Sequence, residues 1–293
     1  MKPPPFDYLA PETLDEALDA LAEHGYDAKV LAGGQSLIPL LNFRLAHPTV
    51  LVDVNRIGDL ARIEENGGGL RFGALVRQAT LERDPRVAEC DPLLAEMIPW
   101  VAHPQIRNRG TLGGSLAHAD PAAELPVWAV ARGARLKLSS RQGERWVEAA
   151  DFYVGLMTTA LEPHEMVTEI EVPEMPAGSG WAFEEFARRH GDYALMGVAA
   201  RITVDGDVCR EARLVYMAAG ETPTPAPEAC RLLESEGLAD AAIDRAAALA
   251  AEREIEPSPD IHAGVSFKRH LAAVLTRRAL RRARDRAGAA RAA

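Results

Sequence analysis

Two short stretches of this chain carry the residue types that hold anions. One is Leu31-Ala32-Gly33-Gly34-Gln35-Ser36. The other is Thr111-Leu112-Gly113-Gly114-Ser115, within a longer segment running from Arg107 to Pro126. Glycine lets the backbone come close to a ligand and adopt angles closed to other residues. Loops of this kind, leading into a helix, expose consecutive peptide N–H groups, and Gln35, Ser36, Thr111 and Ser115 add amide and hydroxyl donors. A single Gly-Gly pair is only a turn signal. Two pairs, each followed within two residues by serine and each at a strand-to-helix junction, point to one dianionic pyrophosphate gripped from both sides. No Gly-Lys-Ser/Thr follows either pair, and neither is a Gly-x-Gly-x-x-Gly. Nucleoside triphosphates and a conventional nicotinamide-binding fold are therefore disfavoured.

Other chemistry is sparse. Cys90, Cys209 and Cys230 lie far apart and never form Cys-x-x-Cys, so neither a disulfide framework nor a structural zinc or iron–sulfur site is expected here. His103 and His118 flank the second glycine stretch, but no His/Asp/Glu set has metal-ligand spacing on a predicted helix; both read as loop hydrogen-bonders. No nucleophile elbow is present. A net charge of −10 argues against a nucleic-acid binder, which needs excess lysine and arginine. No apolar run approaches the roughly 20 residues that span a bilayer, and the first residues lack a signal-peptide apolar region. The expectation is a cytoplasmic protein without membrane insertion. Arg277, Arg278, Arg281, Arg282, Arg284 and Arg286 read as a solvated helix face, with docking of an acidic partner as the alternative.

These loops need elements to hold them, and 293 residues suffice for two or three units with cores of their own. Thr13 and Glu16 form a capping box for a helix with Leu14, Ala17, Leu18 and Leu21 on one face, ending at Gly25. Lys29–Leu31 and Val50–Val54 read as strands around the first loop and a short helix at Leu37–Leu41. A second unit is predicted from strand Leu70–Arg77, helix Pro92–Ala102, the Arg107–Pro126 loop, a helix to Arg132, strands 135–139 and 145–148 across Gly143, and strand Glu169–Pro173. The prolines and glycines of 173–180 mark a boundary. Beyond them come strands 181–188, 194–204 and 208–218, with an Asp205-Gly206 hairpin, then helices 228–236, 239–253 and 266 to about 288. The class is α+β. The expected domains are 1–176, with subdomains about 1–56 and 57–176, and 177–293.

The two glycine stretches with their flanks, Leu37-Ile38-Pro39-Leu40-Leu41-Asn42-Phe43-Arg44 and Ala102-His103-Pro104-Gln105-Ile106-Arg107-Asn108-Arg109-Gly110, resemble the flavoprotein (medium) subunits of molybdenum hydroxylases. Aerobic carbon monoxide dehydrogenase and the xanthine dehydrogenase family are the relatives in question. Gly191-Asp192-Tyr193-Ala194 and Phe267–Leu275 match as well, so the resemblance covers essentially the whole chain. It implies a two-subdomain FAD-binding module of the PCMH type, followed by a small domain of antiparallel sheet and helices. It implies that Leu31 to Ser36 and Thr111 to Ser115 clasp the FAD pyrophosphate and that Glu124 meets the ribityl side. It also implies that Val167 flanks the isoalloxazine and that Tyr193 lies against it. Read without the resemblance, Glu124 is an acid favoured by a helix dipole, Val167 a strand-core residue and Tyr193 a core aromatic at a strand start. Ser115 stands where relatives often have Asn or Asp, and Glu184-Glu185 near where they often have Lys.

The function so implied is an electron-transfer subunit with no catalytic residue of its own. A large partner would hold the molybdenum cofactor and a small one the [2Fe–2S] clusters. The assembly would be a dimer of heterotrimers, with FAD passing electrons to an external acceptor. The alternatives are a stand-alone FAD-dependent oxidase or dehydrogenase acting on its own substrate, and a flavin-free scaffold subunit.

Overall fold

The computed structural model describes residues 2–289. It is a mixed helix-and-sheet chain built on three main sheets. The first has three parallel strands, with Val50–Asp53 in the middle, Asp7–Leu9 on one side and Ala28–Leu31 on the other. Helix Leu14–His24 covers it with Ala17, Leu18 and Leu21, and the Thr13–Glu16 capping box forms as predicted. Asp7–Leu9 continues the proline-rich start of the chain. Its pairing depends on a strand more than forty residues away, so local pattern alone gives only an extended segment there.

The second sheet is antiparallel and five-stranded, in the order Ile63–Asn66, Gly69–Gly73, Met166–Val172, Arg135–Ser140, Gly143–Glu148. The strand expected over 70–77 stops at Gly73. The chain then turns, and Arg77 forms an isolated bridge with Thr111. The strand expected over 169–173 begins earlier, at Met166, and therefore includes the buried Val167. Short helices Gln78–Leu81 and Pro85–Cys90 fill a stretch for which no element was expected. The core beneath centres on Trp128, fully buried in helix Glu124–Arg132. Its indole donates to Asp91 at 3.0 Å, and Asp91 also accepts from Arg132 at 2.9 Å and caps helix Pro92–Met97 through Leu94 N–H. A buried ion pair of this kind is close to neutral overall but costly to break from one side.

The third sheet is antiparallel: Ser179–Phe186, Met196–Asp205, Val208–Met217 and the two-residue Thr224–Pro225. Strand residues alternate between faces. Phe183, Ala199, Val215 and Met217 join the core around Trp128. Val198, Ala200, Leu214 and Tyr216 pack instead with the helices Pro227–Glu236, Asp240–Leu249 and Val265–Ala289. The sheet is covered on both sides, and so residues 196–202 are buried without interruption.

The arginines of the last helix are spent within the chain. Arg284 pairs with Asp240, Arg281 with Asp240 and Asp244, and Arg277 with Asp244. Arg282 reaches Glu96 and Glu184, and Arg286 reaches Glu96. Five of the six are neutralised in place, which leaves little of the basic face that an acidic partner would need. Glu96 also accepts the Phe183 N–H at 2.8 Å, so this one carboxylate ties helix Pro92–Met97 to both the third sheet and its helix. Glu96→Ala is expected to cost about 2 kcal/mol, the scale of lost hydrogen bonds to a charged group. Urea unfolding of the variant against the parent measures it, and an unchanged midpoint would show the latch to be idle.

Candidate cofactor-binding site

A cleft of about 900 Å³ runs between the first sheet, the second unit and the turn that joins the first two strands of the third sheet. It lies at the upper end of the range of about 300–1,000 Å³ typical of ligand pockets. Ala32, Gly33, Gly34, Gln35, Ser36, Thr111, Gly113, Gly114, Ser115, Glu124, Val167 and Tyr193 all line it. Two of the sequence candidates do not. Leu31 lines a smaller adjoining pocket, where its carbonyl accepts from Val54 N–H. The Leu112 side chain is fully buried in the core.

The two glycine stretches touch. A Cβ on Gly33 would lie 2.5 Å from the Arg109 carbonyl oxygen and 2.8 Å from Gly110 Cα, so only glycine permits this approach. Gly34 takes φ +72°, in the left-handed region. The amides of Gly33, Gly34, Gln35, Ser36 and Leu37 find no acceptor among the described residues. The second stretch differs from the expected open loop. Leu112–His118 is a helix, with Thr111 as its N-cap accepting Gly114 N–H at 3.1 Å. Leu112 and Gly113 donate to Val76 and Ala74, and Ser115 to Thr111. The glycines do not prevent the helix because a cap and two bonds to the 74–76 turn hold its first turn. The free donors of the clasp are thus concentrated in the first stretch, while the second supplies a wall.

Tyr193 sits on the turn between strands Ser179–Phe186 and Met196–Asp205 and is 73% exposed, so it is not a core aromatic. The turn is seated on the second unit: His190 stacks on Trp100 with centroids 5.2 Å apart, and Gly191 packs on His103 and the Ala102 carbonyl. His103 and His118 line the cleft, and neither imidazole makes a hydrogen bond among the described residues, contrary to expectation. Burial lowers the His118 pKa and so favours the neutral ring, and Asp120 partly opposes this. Asp120, which lines the same cleft, is not singled out in the sequence, since only the fold brings it to the wall beside His118.

Two carboxyls stand out electrostatically. Burial pushes Glu124, at the start of helix Glu124–Arg132, up to about 7. Glu185 is 7% exposed, has no partner for Oε2 among the described residues, and is pushed up to about 8 by burial and then by Glu124. Glu184, by contrast, is paired with Arg282 at 2.6 Å.

Residues 4–175 match the family described as "FAD binding domain in molybdopterin dehydrogenase", and residues 181–283 match "CO dehydrogenase flavoprotein C-terminal domain". The chain belongs to the medium, FAD-binding subunits of the xanthine dehydrogenase family of molybdenum hydroxylases, and is an oxidoreductase subunit. It is 43% identical to the 6-hydroxypseudooxynicotine dehydrogenase complex subunit alpha of Paenarthrobacter nicotinovorans, over 98% of this chain and 97% of that one. It is 39% identical to the carbon monoxide dehydrogenase medium chain of Afipia carboxidovorans, over 98% and 99%. Among solved structures, quinoline 2-oxidoreductase from Pseudomonas putida 86 superposes with a TM-score of 0.93 at 41% identity, covering 98% of this chain and 99% of that one. Among the described residues no helix is long and apolar enough to cross a membrane.

The raised carboxyl values carry a stability sign. A folded pKa above the unfolded value means that the folded state binds the proton more tightly. The stabilisation is complete below about 4.5 and is lost as pH rises through about 7 for Glu124 and about 8 for Glu185. Glu185→Gln should therefore flatten the fall in urea midpoint across that window. A parallel fall in the variant would assign the pH dependence to other groups.

Proposed function

We propose that this chain binds one FAD non-covalently in the cleft and relays electrons through it. They would come from the [2Fe–2S] clusters of a small partner subunit, pass through this chain, and leave to an external acceptor. A large partner would hold the molybdenum cofactor, and the complex would be a cytoplasmic dimer of heterotrimers. The carrying observation is the run of amides from Gly33 to Leu37, left without acceptors among the described residues on the wall of a cleft large enough for a dinucleotide. The cleft fits the group: unpaired backbone donors suit a dianion, and an exposed tyrosine at the mouth suits an aromatic ring. A [2Fe–2S] cluster held by cysteine takes four thiolates and this chain has three cysteines, which supports placing the clusters on another polypeptide.

Bound FAD would supply the redox chemistry; the protein supplies placement. In this reading the Gly33–Leu37 amides donate to the pyrophosphate, with Gln35 and Ser36 beside them. Thr111 holds the first turn of the Leu112–His118 helix, so that Gly113, Gly114 and Ser115 form a fixed opposite wall. Glu124, pushed up to about 7, can present either an acceptor or an O–H to the ribityl hydroxyls. Val167 offers an apolar strand surface, and Tyr193 covers a face of the ring. We also propose the domain division 1–176 and 177–293. It is supported by the loop at 173–178 between strands Met166–Val172 and Ser179–Phe186.

Three outcomes follow. The purified chain should be yellow, with about one FAD per chain released by denaturation. Gly34→Val should give colourless, folded protein, because a β-branched residue is strained at its φ of +72°; full flavin occupancy would refute the clasp. Tyr193→Ala should retain FAD but shift its visible spectrum and potential, and an unaltered spectrum, potential and electron transfer would remove Tyr193 from the ring site. Substrate oxidation at ordinary rates by the isolated chain would favour an independent oxidase.

A further inference from the structure

A circuit of polar groups behind the glycine clasp joins the two stretches. Asn55 Nδ2 donates to the Ala32 carbonyl at 2.8 Å, and Asn55 Oδ1 accepts from Arg77 Nη2 at 2.5 Å. Arg77 Nη1 donates to the Arg109 carbonyl, the oxygen against which Gly33 packs. The circuit Ala32–Asn55–Arg77–Arg109–Gly33 is closed. Asp53 orients Asn55 by accepting its side-chain N–H at 2.6 Å and its backbone N–H at 2.9 Å, while Tyr8 O–H donates to the other Asp53 oxygen.

Arg77 is unusual in charge as well as position. It is half-buried, yet its hydrogen bonds go to a carbonyl and an amide, and no carboxylate pairs with it among the described residues. Burial lowers its pKa, the neighbouring Arg109 lowers it further, and Asp53 opposes both. Asp53 is itself engaged by Tyr8 and Asn55. Neither glycine stretch itself contains a lysine or an arginine; formal positive charge comes from residues beside them, Arg77 and Arg109, the latter lining the adjoining pocket with Gly33 and Gly34. A pyrophosphate bridge brings two negative charges, and Arg77 lies one carbonyl away from Gly33.

We infer that Arg77 is the counter-charge for the dianionic group held in the clasp, and that Asn55 and Arg77 together fix the gap between its two sides. Both are positioning residues: they act through Ala32 and Arg109 and touch no reacting atom. The inference rests on the pyrophosphate reading above. A purely structural bracket would make the same hydrogen bonds, but neutralising it would leave the salt dependence of anion binding as it was. Neutralising a counter-charge would reduce that dependence, because its attraction is screened over a Debye length of about 10 Å at 0.1 M salt.

The test uses the full chain freed of flavin. FAD binding is followed by fluorescence, and binding of inorganic pyrophosphate by calorimetry, each at low and high ionic strength. Affinity of the parent should fall with salt. Arg77→Met should weaken both ligands about tenfold and flatten the salt dependence. Arg77→Lys should keep the salt dependence but recover only part of the affinity, since one ammonium cannot bridge Asn55 and Arg109 as the guanidinium fork does. Asn55→Ala should weaken binding while keeping the salt slope. If Arg77→Met binds with parental affinity and slope, or fails to fold while Arg77→Lys loses the salt slope, the counter-charge is overturned. Binding of pyrophosphate with the Arg77 signature but no binding of FAD would refute the flavin reading alone. Failure of the parent to bind either ligand would refute both.

Discussion

Everything in this protein's cofactor region depends on one close contact, the backbone of Gly33 lying against the Arg109 carbonyl and Gly110. No other residue type fits there. The contact joins the edge of the parallel three-stranded sheet to the second unit, and so sets the width of the cleft between them. It also explains the unequal use of the two glycine stretches. The second is consumed in building a capped helix on the 74–76 turn, while the amides of the first find no acceptor among the described residues. Rigidity on one side and unspent donors on the other make a site that needs little rearrangement to hold an anion.

The third sheet completes the cleft from outside. One of its faces shares the core around Trp128, and Glu96 joins its first strand and last helix to the second unit. The turn bearing Tyr193 is seated by the His190–Trp100 stack and by the absence of a side chain at Gly191. An exposed tyrosine is thereby carried to the mouth of the cleft on a turn whose base is anchored twice. The same sheet face buries Glu185, and burial, with Glu124 adding to it, disfavours its charge.

Much of this was legible in the sequence because it is local. The capping box at Thr13 and Glu16 and the Asp205-Gly206 hairpin each follow from residues a few positions apart. The paired glycine stretches, with their flanks, carried the family resemblance that the homologues bear out. What the sequence misjudged was also local in origin. Glycines at 113 and 114 argue against a helix by propensity, a preference of only about 1 kcal/mol per residue, and the Thr111 cap and two tertiary hydrogen bonds outweigh it.

The sequence by itself thus determined the class of fold, the family and the chemical character of the anion-holding residues. Tertiary structure alone decided which amides find no acceptor among the described residues, that Leu112 faces the core, and that five of the six arginines singled out on the last helix pair within the chain. It alone brought Asn55, Arg77 and Arg109 into one circuit. The reason is that helix caps and strand alternation are set by neighbours along the chain. Hydrogen-bond satisfaction and charge pairing are set by whichever distant groups the fold brings within about 3 Å.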